Sequence, residues 1–127
     1  MPVKGIGAYD DSNIFARILR GEIPCRKVYE DDFALAFHDV NPQAPVHVLV
    51  IPKGAYVNNM DFSANAPSDV VAGFWRAVGT VARELGLEDQ GYRLVANNGA
   101  GGGQVVFHFH VHIVSGKTPP GFGRVHA

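Results

Sequence analysis

Along this chain the apolar positions switch between a period of 3.6 and a period of 2, and that rhythm predicts the elements. Ile14, Phe15, Ile18 and Leu19 fall on one helical face, with Ser12 placed to cap the helix and Gly21 to stop it. Pro24 keeps the following residues extended, so "KVYE" and "FALAFHD" read as two strands joined by a turn at Asp31-Asp32. "NPQAP" breaks the pattern, and "VHVLVIP" beyond it is a third strand ended by Pro52. Ser68 is placed to cap a longer helix that carries Val70, Val71, Phe74, Trp75, Val78, Val81, Ala82 and Leu85 at helical spacing, with Gly86 as its stop. The neighbouring Phe74 and Trp75 read as core. "YRLVAN" and "VVFHFHVHIV" are the fourth and fifth strands, separated by a flexible loop, "NGAGGGQ". Helices and antiparallel strands outside strict βαβ alternation predict an α+β domain: a five-stranded antiparallel meander sheet with one long and one short helix. Residues 1–11 read as a flexible N-terminal tail, residues 12–116 as a single domain, and residues 117–127 as a C-terminal tail in which His126 is simply a tail residue.

Composition narrows the classes this pattern can serve. At 127 residues the chain suits one domain with a real core. A formal net charge of -1 without any basic block argues against a nucleic-acid binder. Arg17, Arg20, Arg26 and Lys27 are scattered and read as solvated. No apolar run approaches the roughly 20 residues of a membrane helix, and the first residues lack the continuous apolar stretch of a secretory signal. The single cysteine, Cys25, excludes an internal disulfide and points to a reducing cytoplasm. Without a positioned base in view, Cys25 reads as a bystander rather than a nucleophile.

The chemistry concentrates in "HFHVH". On a strand, His108, His110 and His112 share one face, while Phe107, Phe109, Val111 and Ile113 turn to the other and can pack beneath the long helix. A solvent face would more often carry Thr, Lys or Glu. A metal site is one reading, with His47 as a further ligand. Same-face residues lie roughly 6.6 Å apart, however, so three in a straight row converge poorly on one tetrahedral ion. A nucleophile reading uses the row better. A neutral imidazole attacks phosphorus, and its neighbours hold its tautomer or bond to the transferring group. Gly99-Ala100-Gly101-Gly102-Gly103-Gln104 lies immediately upstream, where side-chain-free backbone can form a nest for an anion. In "AFHDV", Asp39 sits between apolar residues at a strand end and can accept hydrogen bonds from both hydroxyls of a ribose. The same Asp39 before Asn41-Pro42 also suits an Asx turn.

At this point the chain resembles a known family. "HFHVHIV" fits the histidine triad (HIT) signature, in which histidines alternate with apolar residues. "NIFARILRGEIP", "VYEDDFALAFHDVNPQAPVHVLVIPK" and "GYRLVANNGAGGGQ" look like its Hint branch, the purine nucleoside phosphoramidases, over about residues 12 to 116. The resemblance implies a HIT-like α+β homodimer that hydrolyses the P–N bond of nucleoside 5′-phosphoramidates through a nucleotidyl-histidine, binds AMP and GMP, and needs no metal or other cofactor. It implies His110 as the nucleophile, His112 beside the leaving group and phosphate, His108 as support, and His47 as an additional histidine bonded within the set. It implies Asp39 at the ribose with Val40 beside it. Ile14, Phe15, Ile18, Phe37, His38 and Leu49 would wall the base pocket, and Asn97, Gly103, Gln104 and Val105 would lie on the phosphate side. Two departures stand out. Many Hint-like chains carry Ser or Thr where this one has Val105, which puts turnover rate and leaving-group preference in question. "SGKTPPGFGRVHA" also lacks the tryptophan found near the end of some relatives. Rival classes are a non-catalytic purine nucleotide-binding protein, a dinucleoside polyphosphate hydrolase and a zinc-binding protein.

Overall fold

The computed structural model describes residues 2–3 and 7–116, so the expected C-terminal tail and His126 lie outside the described residues. Within the segment read as an N-terminal tail, β1 (Pro2–Val3) pairs antiparallel with β2 (Gly7–Ala8) in a two-stranded sheet of their own. The chain then runs through α1 (Ile14–Leu19), β3 (Lys27–Glu30), β4 (Ala34–His38), β5 (Val46–Pro52), α2 (Asn59–Asn65), α3 (Ser68–Glu84), β6 (Arg93–Val95), a short 3₁₀ turn (Ala100–Gly102) and β7 (Val111–Ser115).

The α+β class holds, with a five-stranded sheet in the order β3-β4-β5-β7-β6 and every pairing antiparallel. The first three strands form a meander. After β5 the chain leaves through two helices and returns at the far edge as β6, and β7 then inserts between β6 and β5. The inserted strand and its neighbour β5 are buried along almost their whole length, whereas the edge strands β3 and β6 are half exposed.

Both faces of the sheet are covered. Ala34, Ala36, Val48, Val50, Val111 and Ile113 meet Phe62 of α2 and Phe74, Ala77, Val78 and Val81 of α3. On the opposite face Leu35, Phe37, Leu49 and Ile51 pack against Phe15 of α1. Phe74 is fully buried as expected, but Trp75 is 40% exposed, because it lies off the stripe that faces the sheet.

Three local expectations change. The cap of α1 is Asn13 rather than Ser12, with Asn13 Oδ1 accepting from the Ala16 N–H at 2.9 Å. Ser68 is the first residue of α3, whose preceding residue is Pro67. The Pro67 carbonyl takes the N–H groups of Val70 and Val71, and no side chain caps that end. The stops at Gly21 and Gly86 stand, at φ of +78° and +73°, where glycine carries no Cβ penalty. Helix α2 was not expected. It is nucleated by Asn58, whose Oδ1 accepts from the Asp61 N–H at 3.0 Å, while Asp61 Oδ2 accepts from the Val57 N–H at 2.8 Å.

The fifth strand also starts late. The sequence places it from Val105, yet the ladder begins at Val111, opposite Val50. Continuing that register would set Phe109 against Pro52, which has no N–H to give, so pairing stops and the chain turns away. Phe109 instead donates its N–H to the Tyr56 carbonyl at 2.7 Å and stacks on Phe62 with ring centroids 4.8 Å apart. Phe107, outside the ladder, is 37% exposed rather than packed under α3. Among the described residues no helix is long and apolar enough to cross a membrane.

Phe62 therefore ties α2, α3 and Phe109 together. Phe62→Ala is expected to lower unfolding stability by about 3–5 kcal/mol, read from the shift in denaturant midpoint. A loss below about 1 kcal/mol would contradict this account of the core.

Candidate active site

His47, His108, His110 and His112 come from β5, from the segment before β7 and from β7 itself, and none is more than 2% exposed. His110 and His112 stand with ring centroids 5.1 Å apart, His47 and His112 at 5.2 Å. Phe15, delivered by α1, meets the His110 ring edge to face at 4.9 Å. The three histidines of "HFHVH" thus converge although only His112 belongs to the ladder.

Fixed donors and acceptors of the backbone determine where each proton sits. The carbonyl of His108 can only accept, so His110 holds its proton on Nδ1 and donates it across 2.6 Å. That leaves the lone pair of the neutral ring on Nε2. The Gln43 N–H can only donate, and it gives to His47 Nδ1 at 3.0 Å. His47 therefore carries its proton on Nε2 and donates to His112 Nδ1 at 2.9 Å. His112 in turn carries its proton on Nε2, a buried N–H with no acceptor among the described residues. Adjacent rings thus present opposite faces: a lone pair on His110 and a donor on His112.

The first histidine is fully engaged. His108 Nε2–H donates to the Pro52 carbonyl at 2.9 Å, and Nδ1 accepts from the Tyr9 hydroxyl at 2.7 Å. Burial pushes the His108 imidazole down to about 4, a little offset by the Pro52 hydrogen bond. Burial, with the neighbouring His110 and His47, pushes His112 down to about 2. Burial also lowers His47, against the pull of the Asp39 carboxylate. These three rings are held neutral at physiological pH.

Asp39 takes the Asx-turn role and also faces His47. Its Oδ1 accepts from the Asn41 N–H at 2.8 Å, closing an Asx turn, while Oδ2 lies 3.4 Å from His47 Nε2. Ligating atoms of Asp39, His47 and His112 all lie within 4.8 Å of one another, a spacing open to a metal ion. To ligate through Nε2, His47 would have to carry its proton on Nδ1, facing the Gln43 N–H donor. That donor-to-donor contact wires the trio as a hydrogen-bond relay instead.

Beside the relay opens a cavity of about 220 Å³. Ile14, Phe15, Ile18, Phe37, His38, Asp39, Val40 and Leu49 line it, all of them named from the sequence, together with Ile23, Pro24, Cys25 and Val106, which were not. Cys25 is thus a wall of this pocket. The glycine loop is built differently from a nest. The N–H groups of Gly102, Gly103 and Gln104 donate back to the carbonyls of Gly99 and Ala100. The Gln104 side chain is buried and saturated as well. Its Oε1 accepts from the Gly99 N–H, and its Nε2 donates to the carbonyls of Val57 and Val106. Gln104 and Gly103 therefore shape the loop from within. Asn97 stands half-buried between β6 and that loop, and Val105 is 66% exposed just after it.

Two contributors escaped the sequence reading. Gln43 acts through its backbone, for which "NPQAP" offers no side-chain signal. Tyr9 lies in what reads as a tail.

The comparisons agree with this geometry. A family model described as the HIT domain matches residues 20–119, and the chain belongs to that family. It is 59% identical over 109 residues to an uncharacterized 13.2 kDa HIT-like protein of Azospirillum brasilense, covering 86% of this chain and 89% of the relative. Among solved structures it is similar to a HIT family hydrolase from Legionella pneumophila (42% identity, TM-score 0.77, 86% of this chain and 99% of that one). It is similar also to a histidine triad nucleotide-binding protein from Candida albicans (31% identity, TM-score 0.75, 91% and 84%).

Burying neutral histidines makes stability depend on pH. In the unfolded chain each titrates near its ordinary value of about 6.5, so on acidification the unfolded state takes up protons that the folded state refuses. Stability is expected to fall as pH drops from about 6.5 toward about 4, by up to about 1.4 kcal/mol per pH unit for each depressed histidine. Denaturant midpoints measured at pH 7 and pH 5 check the sign. An unchanged midpoint would mean the imidazoles are hydrated.

Proposed function

We propose that this chain is a nucleotide-binding hydrolase that cleaves the P–N bond of purine nucleoside 5′-phosphoramidates through a nucleotidyl-histidine intermediate. The observation that carries the reading is the pair of opposed tautomers at His110 and His112. His110 Nε2 attacks the α-phosphorus, and the P–N bond to the amine breaks. The freed amine nitrogen takes a proton from solvent and departs, and the water that attacks in the second step returns one to solvent. Water then attacks phosphorus, the bond to His110 Nε2 breaks, and the nucleoside monophosphate leaves. His112, neutral and hard to protonate, serves by donating its Nε2–H to the phosphoryl oxygen or the departing nitrogen rather than as a cationic acid. His108 supports the nucleophile through its carbonyl, and His47 transmits the backbone's choice of tautomer to His112.

The pocket supports a purine. Its walls are almost wholly apolar, which suits stacking of a flat base and reads little of its polar edge, so AMP and GMP are both accommodated. Asp39, at the pocket's polar end, is the acceptor for ribose hydroxyls. The names of the similar structures, a HIT family hydrolase and a histidine triad nucleotide-binding protein, support the same class. Asn97 and the backbone around Val105 are assigned to the phosphate side. A homodimer is part of this reading, with exposed Tyr92 and Leu94 at the β6 edge and Trp75 on α3 available to a second copy. A lone cysteine fits a reducing cytoplasm.

The test is steady-state hydrolysis of a fluorogenic adenosine 5′-phosphoramidate. His110→Ala is expected to reduce turnover by more than about 10³-fold while AMP still binds. AMP binding without turnover in the native chain would leave a binding protein and overturn the hydrolase. In the same assay Val105→Ser, which places a hydroxyl at the exposed position, is expected to raise turnover; no change or a fall sinks that assignment.

A further inference from the structure

Resting on that reading of His110, we infer that Tyr9 is a positioning residue of the active site: its hydroxyl fastens the His108 ring, and so keeps the His108 carbonyl aimed at the nucleophile's Nδ1–H. The argument starts from a gap in the sheet. β7 begins at Val111, so His108 and His110 lie where no strand ladder holds the backbone. The Phe109 N–H, bonded to the Tyr56 carbonyl, holds the main chain between them at one point, and side-chain bonds add to the order that a ladder would give. His108 provides it by being tied at both ring nitrogens, to Pro52 at 2.9 Å on one side and Tyr9 at 2.7 Å on the other. With the ring fixed at two ends, its residue cannot swing, and the 2.6 Å bond from His110 Nδ1 to the His108 carbonyl keeps its direction. Loss of that bond would free His110 to adopt the tautomer whose Nε2 has no lone pair.

Tyr9 is itself held. The Asp10 carbonyl accepts from the N–H and Nδ2 of Asn13, the cap of α1, and Asp10 Oδ1 accepts from Ser12. The Asp11 carbonyl accepts from Arg20 at the other end of the same helix. The helix that brings Phe15 to His110 thus also carries the strap that brings Tyr9 to His108. Burial and the nearby Asp11 and Asp10 keep the Tyr9 hydroxyl protonated, with Asn13 and Arg20 pulling the other way, so a donor is always present. On the remaining sides His108 faces the Phe15 ring, the Pro52 carbonyl and His110.

Tyr9→Phe in the full chain keeps the ring and removes the bond. Three readouts apply: kcat and KM for the phosphoramidate, the pH profile of kcat, and nitrogen-15 NMR of the histidine rings. The expected result is a fall in kcat of about tenfold, the order one neutral hydrogen bond can supply, with KM and AMP affinity unchanged. The acid limb of kcat should move to higher pH, because His108 Nδ1 can then take a proton from water. The His108 Nδ1 resonance should shift and the His110 Nδ1–H should exchange faster with solvent. Unchanged kcat and acid limb alongside a shifted His108 Nδ1 would reduce Tyr9 to a cover, and an unshifted Nδ1 would remove the hydrogen bond; either overturns the proposal. If the native chain shows no turnover, the hydrolase reading fails on its own. The His110 Nδ1–H exchange then still decides whether Tyr9 orders the triad, with unchanged exchange overturning it.

Discussion

A neutral imidazole has one donor nitrogen and one acceptor nitrogen, and this structure depends on backbone groups that decide which is which. A carbonyl cannot donate and an amide N–H cannot accept. Placing the His108 carbonyl on His110 and the Gln43 N–H on His47 therefore assigns the protons of His110, His47 and His112, and the Pro52 carbonyl assigns that of His108. Water would blur these assignments by offering both kinds of partner. Burial excludes it, and burial also keeps His47, His108 and His112 uncharged, so the assignment persists at physiological pH.

The core exists in the form that such burial requires. A sheet with one wet face would leave the histidines in solvent. Here α1 covers that face, and Phe15 reaches both the apolar cluster and the His110 ring. On the other face Phe109, flanked by two of the histidines, is sunk among Phe62 and Phe74. The aromatic packing thus anchors a segment that lacks ladder bonds, and stability and site geometry rest on the same side chains.

Much of this was legible in the sequence where one local force dominates. Strand β5 matches its apolar run residue for residue, and Gly21 and Gly86 stop helices because only glycine takes their backbone angles without cost. The pocket walls from Ile14 to Leu49 were named through family resemblance, and periodicity alone would have left them as core. The illegible parts arise from longer-range effects. Helix α2 has Met60 and Phe62 as its large apolar residues, beside the small Ala64, too few for a period, and its signal was the Asn58 and Asp61 cap. The late start of β7 follows from Pro52 in another strand, since alternation in "VVFHFHVHIV" continues past the point where a partner exists. Gln104 and the glycines beside it looked like an anion cradle because composition cannot show that their N–H groups are already engaged. Tyr9 had no local signal at all; its meaning lies in His108, far along the chain.

The neutrality of His47, His108 and His112 has a consequence for the proposed chemistry. A cation beside the substrate would bind the ground-state phosphate tightly and raise the barrier to leaving it. In the proposed step the first positive charge would form on His110 itself, as Nε2 joins phosphorus, against the anionic phosphoryl group that created it. The low dielectric that forbids a protonated His112 then strengthens this new pairing, and the His108 carbonyl, already bonded to Nδ1–H, stabilises the imidazolium further. The same burial that costs the folded protein stability in acid is thus the condition under which a neutral imidazole favours the transition state over the bound nucleotide.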